Sequence, residues 1–143
     1  FLSREQIEAL GAQAYENYED LLRAADIVTI HVPLTEQTRD MIAARQLAMM
    51  KPTALLVNVA RGPVVVEKDL VVALENGVIA GAAIDVFDKE PPLDTASPIL
   101  HAPNCLVTPH VAFATQQSMS LRAEIVFDNL AKWMEGHQIN TIL

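Results

Sequence analysis

The chain has 143 residues, 51% of them hydrophobic and 20% charged, and a formal net charge of −8. This suits one domain at about 150 residues per domain, with enough apolar side chain for a core, and excludes a disordered chain. Ten Lys and Arg against 18 Asp and Glu argue against a nucleic-acid surface or docking on anionic lipid, no run of 18 apolar residues offers a spanning helix, and the lone Cys105 excludes an internal disulfide and suits a reducing, cytoplasmic compartment.

The sequence starts Phe1-Leu2-Ser3, without an initiator methionine, so we expect the natural N-terminus to lie upstream. Ser3 to Gly11 reads as a short helix: Ser3 caps it, Gln6 completes a capping box, and Gly11 stops it. Ala12–Tyr15 reads as a short strand and Tyr18–Ala25 as a helix. Asp26–Val32 is β-branched and bounded by Pro33, which predicts a strand. Thr35–Met50 reads as helical in two pieces, ending before Lys51-Pro52.

The apolar run Ala54–Val59 predicts a buried strand. Glu67–Asn76 predicts a helix closed by Gly77, although Val66 gives it no side-chain cap. Ile79–Val86 is a small-residue strand, and Leu106–Thr108, joined by Cys105, is a short one. Thr115–Glu135 is the longest helix, with Leu121, Ile125, Leu130 and Trp133 roughly on one face. The strands are apolar throughout rather than alternating, as in a parallel sheet covered on both faces, and they alternate with helices at βαβ spacing. The reading is therefore α/β, a doubly wound parallel sheet. The loop from Asp88 to Pro103, with four prolines, is long enough to be functional.

In open α/β sheets ligands bind beyond the carboxyl ends of the strands. Successive strands deliver His31, then Arg61, then Asp85 with Glu90, then His110 to that edge. Each has a bland alternative. Arg61 could be a surface arginine with its stem on the sheet. His110 could be satisfied by backbone, Glu90 could be a solvated loop charge, and Asp85 could cap a turn. His31 is expected to pack near the sheet end with its backbone lining a ligand. His101 and His137 lack partner spacing. Asp88, Asp94 and His101 lack the tight spacing of a metal site. Cys105 reads as a buried thiol, and Met41, Met49 and Met50 as core filler. Neither G-x-G-x-x-G nor G-x-x-x-x-G-K occurs.

The same residues carry a resemblance. His31-Val32-Pro33-Leu34-Thr35 with Thr38, Val57-Asn58-Val59-Ala60-Arg61-Gly62, Gly81–Phe87 running into Glu90-Pro91-Pro92, and Thr108-Pro109-His110 occur in this order. Together they resemble the nucleotide-binding domain of the D-isomer-specific 2-hydroxyacid dehydrogenases. The resemblance covers nearly the whole chain and implies a Rossmann-like sheet that is N-terminally incomplete. Residues 1–136 would be the later part of the NAD(P)-binding domain, and residues 137–143 a tail returning toward a substrate domain. The glycine-rich loop, the acidic residue after it and most of the substrate domain would lie upstream.

The resemblance also implies roles. Arg61 would hold the carboxylate and 2-oxo group of a small 2-oxo or 2-hydroxy acid, His110 would be the proton donor and acceptor, and Glu90 would orient His110. Val32, Pro33, Thr38, Val59, Ala60, Arg61, Asp85, His110 and Ala112 would line the dinucleotide, NAD or NADP with NAD favoured. Relatives are typically homodimers. The aromatic Phe113 resembles the glyoxylate and hydroxypyruvate reductase branch. A fragment of this length is expected to have little or no turnover alone. The competing reading from the same fold is a dinucleotide-dependent transcriptional corepressor. A formate dehydrogenase would carry glutamine where this chain has Glu90.

Overall fold

The computed structural model describes residues 2–90 and 94–141. Four strands form where the apolar runs were expected: β1 (Ile27–Ile30), β2 (Leu55–Asn58), β3 (Gly81–Ile84) and β4 (Cys105–Val107). All pair in parallel, in the order β1-β2-β3-β4. The order follows the chain and does not reverse among the described residues. Parallel neighbours need crossover connections, and here these carry α3 (Ala44–Leu47), α4 (Glu67–Glu75) and a 3₁₀ turn at Pro98–His101. Two further helices precede β1: α1 (Arg4–Ala9) and α2 (Tyr18–Ala24). The chain forms two compact units, Phe1–Pro109 and His110–Leu143.

The first unit holds the sheet and the core. Leu22 of α2, Leu47 of α3, Leu56 of β2, Leu70 of α4 and Ile99 of the 3₁₀ turn are all buried with Val64 and Ile79. Burying each leucine is worth about 1.5–3 kcal/mol, which makes this cluster the main source of stability. Local chemistry sets the helix ends. Ser3 accepts from the Gln6 amide and the Gln6 side chain accepts from the Ser3 amide, the expected capping box, and Gly11 follows at φ +78°. Asn17 caps α2 through the Glu19 amide. Val66 provides no side-chain cap for α4, as the sequence indicated. Instead α4 helps α3: the Asp69 carboxylate accepts from the Ala44 amide at 2.9 Å.

Two sequence expectations change. Ala12–Tyr15 is not a strand. The Ala12 amide is drawn back to the Ile7 carbonyl and the Ala14 carbonyl accepts from Arg4, so the segment finishes the turn after α1. Thr35–Met50 is mostly not helical, and only α3 remains. Thr35 and Thr38 use their hydroxyls on nearby backbone, which competes with helix. Asp40 then takes a left-handed φ of 55°, and the Asp40 and Ile42 amides donate to the Pro63 and Val64 carbonyls in a short parallel bridge. Tertiary hydrogen bonds thus replace the first helical piece. The 3₁₀ turns at Gly62–Val64 and Pro98–His101, each with a proline among its first two residues, were not anticipated. Pro91 and Pro92 of the long loop, and Ile142 and Leu143 of the tail, lie outside the described residues.

The second unit is α5 (Gln116–Met134) and its flanks. Thr115 and Ser118 form a reciprocal capping box. The helix lies as expected, but Leu121, Ile125, Leu130 and Trp133 are all exposed and α5 has no buried residue. Asn140 donates to Asn129, folding the tail back along the helix.

Candidate functional site

The carboxyl ends of β1 and β2 lie side by side because Ile30 pairs with Asn58. Beyond them opens a cleft of about 530 Å³ lined by His31, Val32, Pro33, Leu34, Val59, Ala60 and Arg61. Four of the residues assigned to a dinucleotide, Val32, Pro33, Val59 and Ala60, form its apolar walls. Arg61 adds the positive charge. The Arg61 side chain is exposed, with Nη1 donating to the Ala60 carbonyl at 2.6 Å.

The loops around the cleft are held by their own polar groups. The Thr38 hydroxyl donates to the Pro33 carbonyl at 2.7 Å and accepts from the Thr35 amide at 2.8 Å. Thr38 therefore shapes the Val32-Pro33 wall rather than lining the cleft itself. His31 is exposed at the rim, and its Nε2 lies 2.8 Å from the Thr29 hydroxyl. Asn58, 1% exposed, donates from Nδ2 to the Arg61 carbonyl at 3.0 Å and accepts at Oδ1 from the Ala60 amide at 3.1 Å. The sequence reading gave Asn58 no role. Its signal was a single amide closing the otherwise apolar run Leu55-Leu56-Val57.

The next strand carries the acidic residues. The Asp85 amide donates to the Asn58 carbonyl, which places Asp85 at the carboxyl end of β3 beside β2. Its carboxylate is buried at 3% exposure and accepts from the Thr108 hydroxyl at 2.5 Å. Glu90 follows on the loop, and its Oε1 accepts from the Phe87 amide at 2.8 Å. The turn bearing Arg61 packs directly on this segment. A Cβ added at Gly62 meets the Phe87 carbonyl carbon and oxygen at 2.1 Å. Arg61, Asp85 and Glu90 thus share one edge of the first unit.

Two further carboxylates flank the base of this loop. Partial burial, repulsion from Asp88 and only weak relief from the Ser97 hydroxyl at 3.3 Å raise the Glu67 carboxyl above its ordinary value. Asp88 is raised as well, first by desolvation and then by Asp40. Cys105 is a free, half-buried thiol rather than a fully buried one. Desolvation and the Glu67 charge push it up, away from the reactive thiolate. His101 shares a hydrogen bond with the Thr95 carbonyl at 2.9 Å, a structural role.

His110 and Ala112 belong to the second unit. His110 takes a left-handed φ of 54° after Pro109, and its ring meets Phe113 edge-on at 6.1 Å. The Arg122 guanidinium lies 5.6 Å from the same phenyl ring.

The profile of the D-isomer specific 2-hydroxyacid dehydrogenase NAD binding domain matches residues 2–112. The chain belongs to this family. The glyoxylate reductase of Korarchaeum cryptofilum is 44% identical over 135 residues, which are 94% of this chain and 40% of that protein. The D-isomer specific 2-hydroxyacid dehydrogenase of Lactobacillus delbrueckii ssp. bulgaricus, solved with NAD, aligns with a TM-score of 0.83 at 31% identity. The alignment covers 95% of this chain and 45% of that one. A 2-hydroxyacid dehydrogenase of Xanthobacter autotrophicus, solved with NADPH and MES, gives 0.69 at 38% identity over 85% of this chain and 49% of that one.

This dehydrogenase domain therefore spans less than half the length of these relatives. Its cleft fits a dinucleotide end on its own chemistry. Flat apolar walls accept a ring, and the backbone of the β1 and β2 loops with Arg61 at the rim can take polar and anionic groups. The family and the Rossmann-like parallel sheet agree with the sequence reading, and the corepressor alternative is not favoured. No helix is long and apolar enough to cross a membrane among the described residues.

Proposed function

We propose that the whole protein transfers a hydride between NAD(P) and a small 2-hydroxy or 2-oxo acid, glyoxylate or hydroxypyruvate among them. Residues 1–136 are the later part of its nucleotide-binding domain, and residues 137–143 lead back to a substrate domain. The observation that carries the reading is the cleft at the carboxyl ends of β1 and β2, with Arg61 at its rim and Asp85 and Glu90 on the same edge.

Bound nicotinamide supplies the hydride donor and acceptor. Arg61 recognises the substrate carboxylate and 2-oxo oxygen through its planar fork. His110 gives a proton to the 2-oxo oxygen during reduction and removes it from the hydroxyl in reverse. Glu90 has the role of the positioning carboxylate for His110 in this proposal. Val32, Pro33, Val59, Ala60 and Ala112 line the dinucleotide, Thr38 supports that wall, and Asp85 faces the nicotinamide end. NAD is favoured over NADP, although relatives with each are known.

The protein acts as a cytoplasmic homodimer in this reading. The single cysteine supports a reducing compartment, and the exposed apolar side chains of α5 support burial against further chain. The test is oxidation of NADH and NADPH by the full-length protein with a panel of 2-oxo acids. Turnover of glyoxylate or hydroxypyruvate is expected. Dinucleotide binding without turnover of any 2-oxo acid would contradict the proposal.

A further inference from the structure

The Arg61 guanidinium is exposed and its position depends on the loop that carries it. That loop, Asn58 to Arg61, is only a few residues long and is closed by one side chain. The Asn58 carboxamide donates to the Arg61 carbonyl at 3.0 Å and accepts from the Ala60 amide at 3.1 Å. Asn58 is itself fixed: it is 1% exposed, pairs with Ile30 on one side and Ile84 on the other, and its carbonyl accepts from the Asp85 amide. No other residue type of this size supplies a donor and an acceptor in this arrangement at neutral charge.

From this we infer that Asn58 is the positioning residue for Arg61. Its carboxamide couples the end of β2 to the guanidinium, and through the Asp85 amide it sets the Arg61 loop at a fixed height against β3. The inference deepens the 2-oxo acid reading and rests on it. A rigid buried amide holding a charged side chain is a supporting shell of the kind that precise carboxylate recognition requires.

Asn58→Asp keeps an oxygen that can accept from the Ala60 amide and removes the donor to the Arg61 carbonyl, and Asn58→Ser leaves a single shorter hydroxyl in place of the separate donor and acceptor of the carboxamide. Each variant is made in the full-length protein, alone and together with Arg61→Ala, and kcat and KM for glyoxylate are measured beside the thermal midpoint. We expect each single variant that folds to lose about 10²-fold in kcat/KM, because displacing a binding group by about 1 Å costs that much, with most of the loss in KM. In the Arg61→Ala background the same substitution should cost no more than about threefold, since there is no guanidinium left to misplace. Equal losses in both backgrounds would mean that Asn58 is merely structural and would overturn the inference. Near-normal activity of the single variants, or failure of both to fold, would do the same. If the wild-type protein turns over no 2-oxo acid, the functional reading falls and this inference with it. Wild-type turnover without the coupling removes this inference alone.

Discussion

The Thr108 hydroxyl donates to the Asp85 carboxylate at 2.5 Å, tying the residue after β4 to the end of β3 at a point where Asp85 is almost fully buried. A buried carboxylate depends on such donors, because losing one leaves a charged acceptor less well solvated than in the unfolded chain. Thr108→Val keeps the shape and removes the hydroxyl. It should destabilise the protein by about 1–3 kcal/mol in chemical denaturation, with an unchanged m-value. Stability equal to wild type would show that Asp85 does not rely on this bond.

Gly62 is required by space rather than by backbone conformation. An added Cβ meets the Phe87 carbonyl group at 2.1 Å and the Asp88 amide nitrogen at 2.6 Å, all main-chain atoms that cannot rotate away. Gly62→Ala should therefore cost at least about 3 kcal/mol, the upper end of overpacking, and should disturb the loops of both Arg61 and Glu90. Gly77→Ala is the control. Gly77 has φ +63° and nothing within 4 Å of the added carbon, so only the left-handed backbone penalty of about 1–2 kcal/mol applies. Equal midpoints for the two variants in a thermal melt would refute the steric argument.

The strands were legible in the sequence for a simple reason. Runs such as Leu55-Leu56-Val57 are apolar without polar alternation, which is the pattern of parallel strands, although Ile27 and Leu55 are exposed on one face. The region from Thr35 to Met50 misled because its apolar spacing is compatible with helix. The outcome there was decided by the hydroxyls of Thr35 and Thr38 and by backbone bonds to Pro63 and Val64, which are more than twenty residues away. The site divides the same way. Arg61, Asp85 and Glu90 could be read from their places after strands. The closure of the Arg61 loop by Asn58, and the close approach that requires Gly62, depend on neighbours that no local pattern reveals.

Glu67 ties folding to pH. Its carboxyl is raised, first by burial and then by Asp88, so the folded chain holds a proton there at pH values where the unfolded chain, near 4.5, has lost it. Stability from this group is therefore full below about pH 4.5 and declines as pH rises through the folded value. Glu67→Gln keeps an acceptor for the Ser97 hydroxyl and removes the charge. It should raise the thermal midpoint at pH 7 and leave it unchanged at pH 4. A midpoint at pH 7 equal to or below that of wild type would contradict this sign.

Arg61→Ala in the full-length protein should lower kcat/KM for 2-oxo acids by about 2–4 kcal/mol in transition-state binding, because a charge-assisted bidentate contact is lost. The side chain is exposed, so the denaturation midpoint should stay within about 0.5 kcal/mol of wild type. A large loss of stability with proportionate loss of activity would place Arg61 in the fold rather than in recognition.

The central claim is that His110 moves the proton of a 2-oxo acid reduction in the complete protein. Its most direct test is the pH profile of kcat/KM for glyoxylate with wild type and His110→Gln. The account predicts a fall of about 10²–10⁴-fold for the variant, together with a changed shape of the pH profile, because a general acid and base has been removed. A variant that keeps wild-type activity and the same pH profile would contradict it.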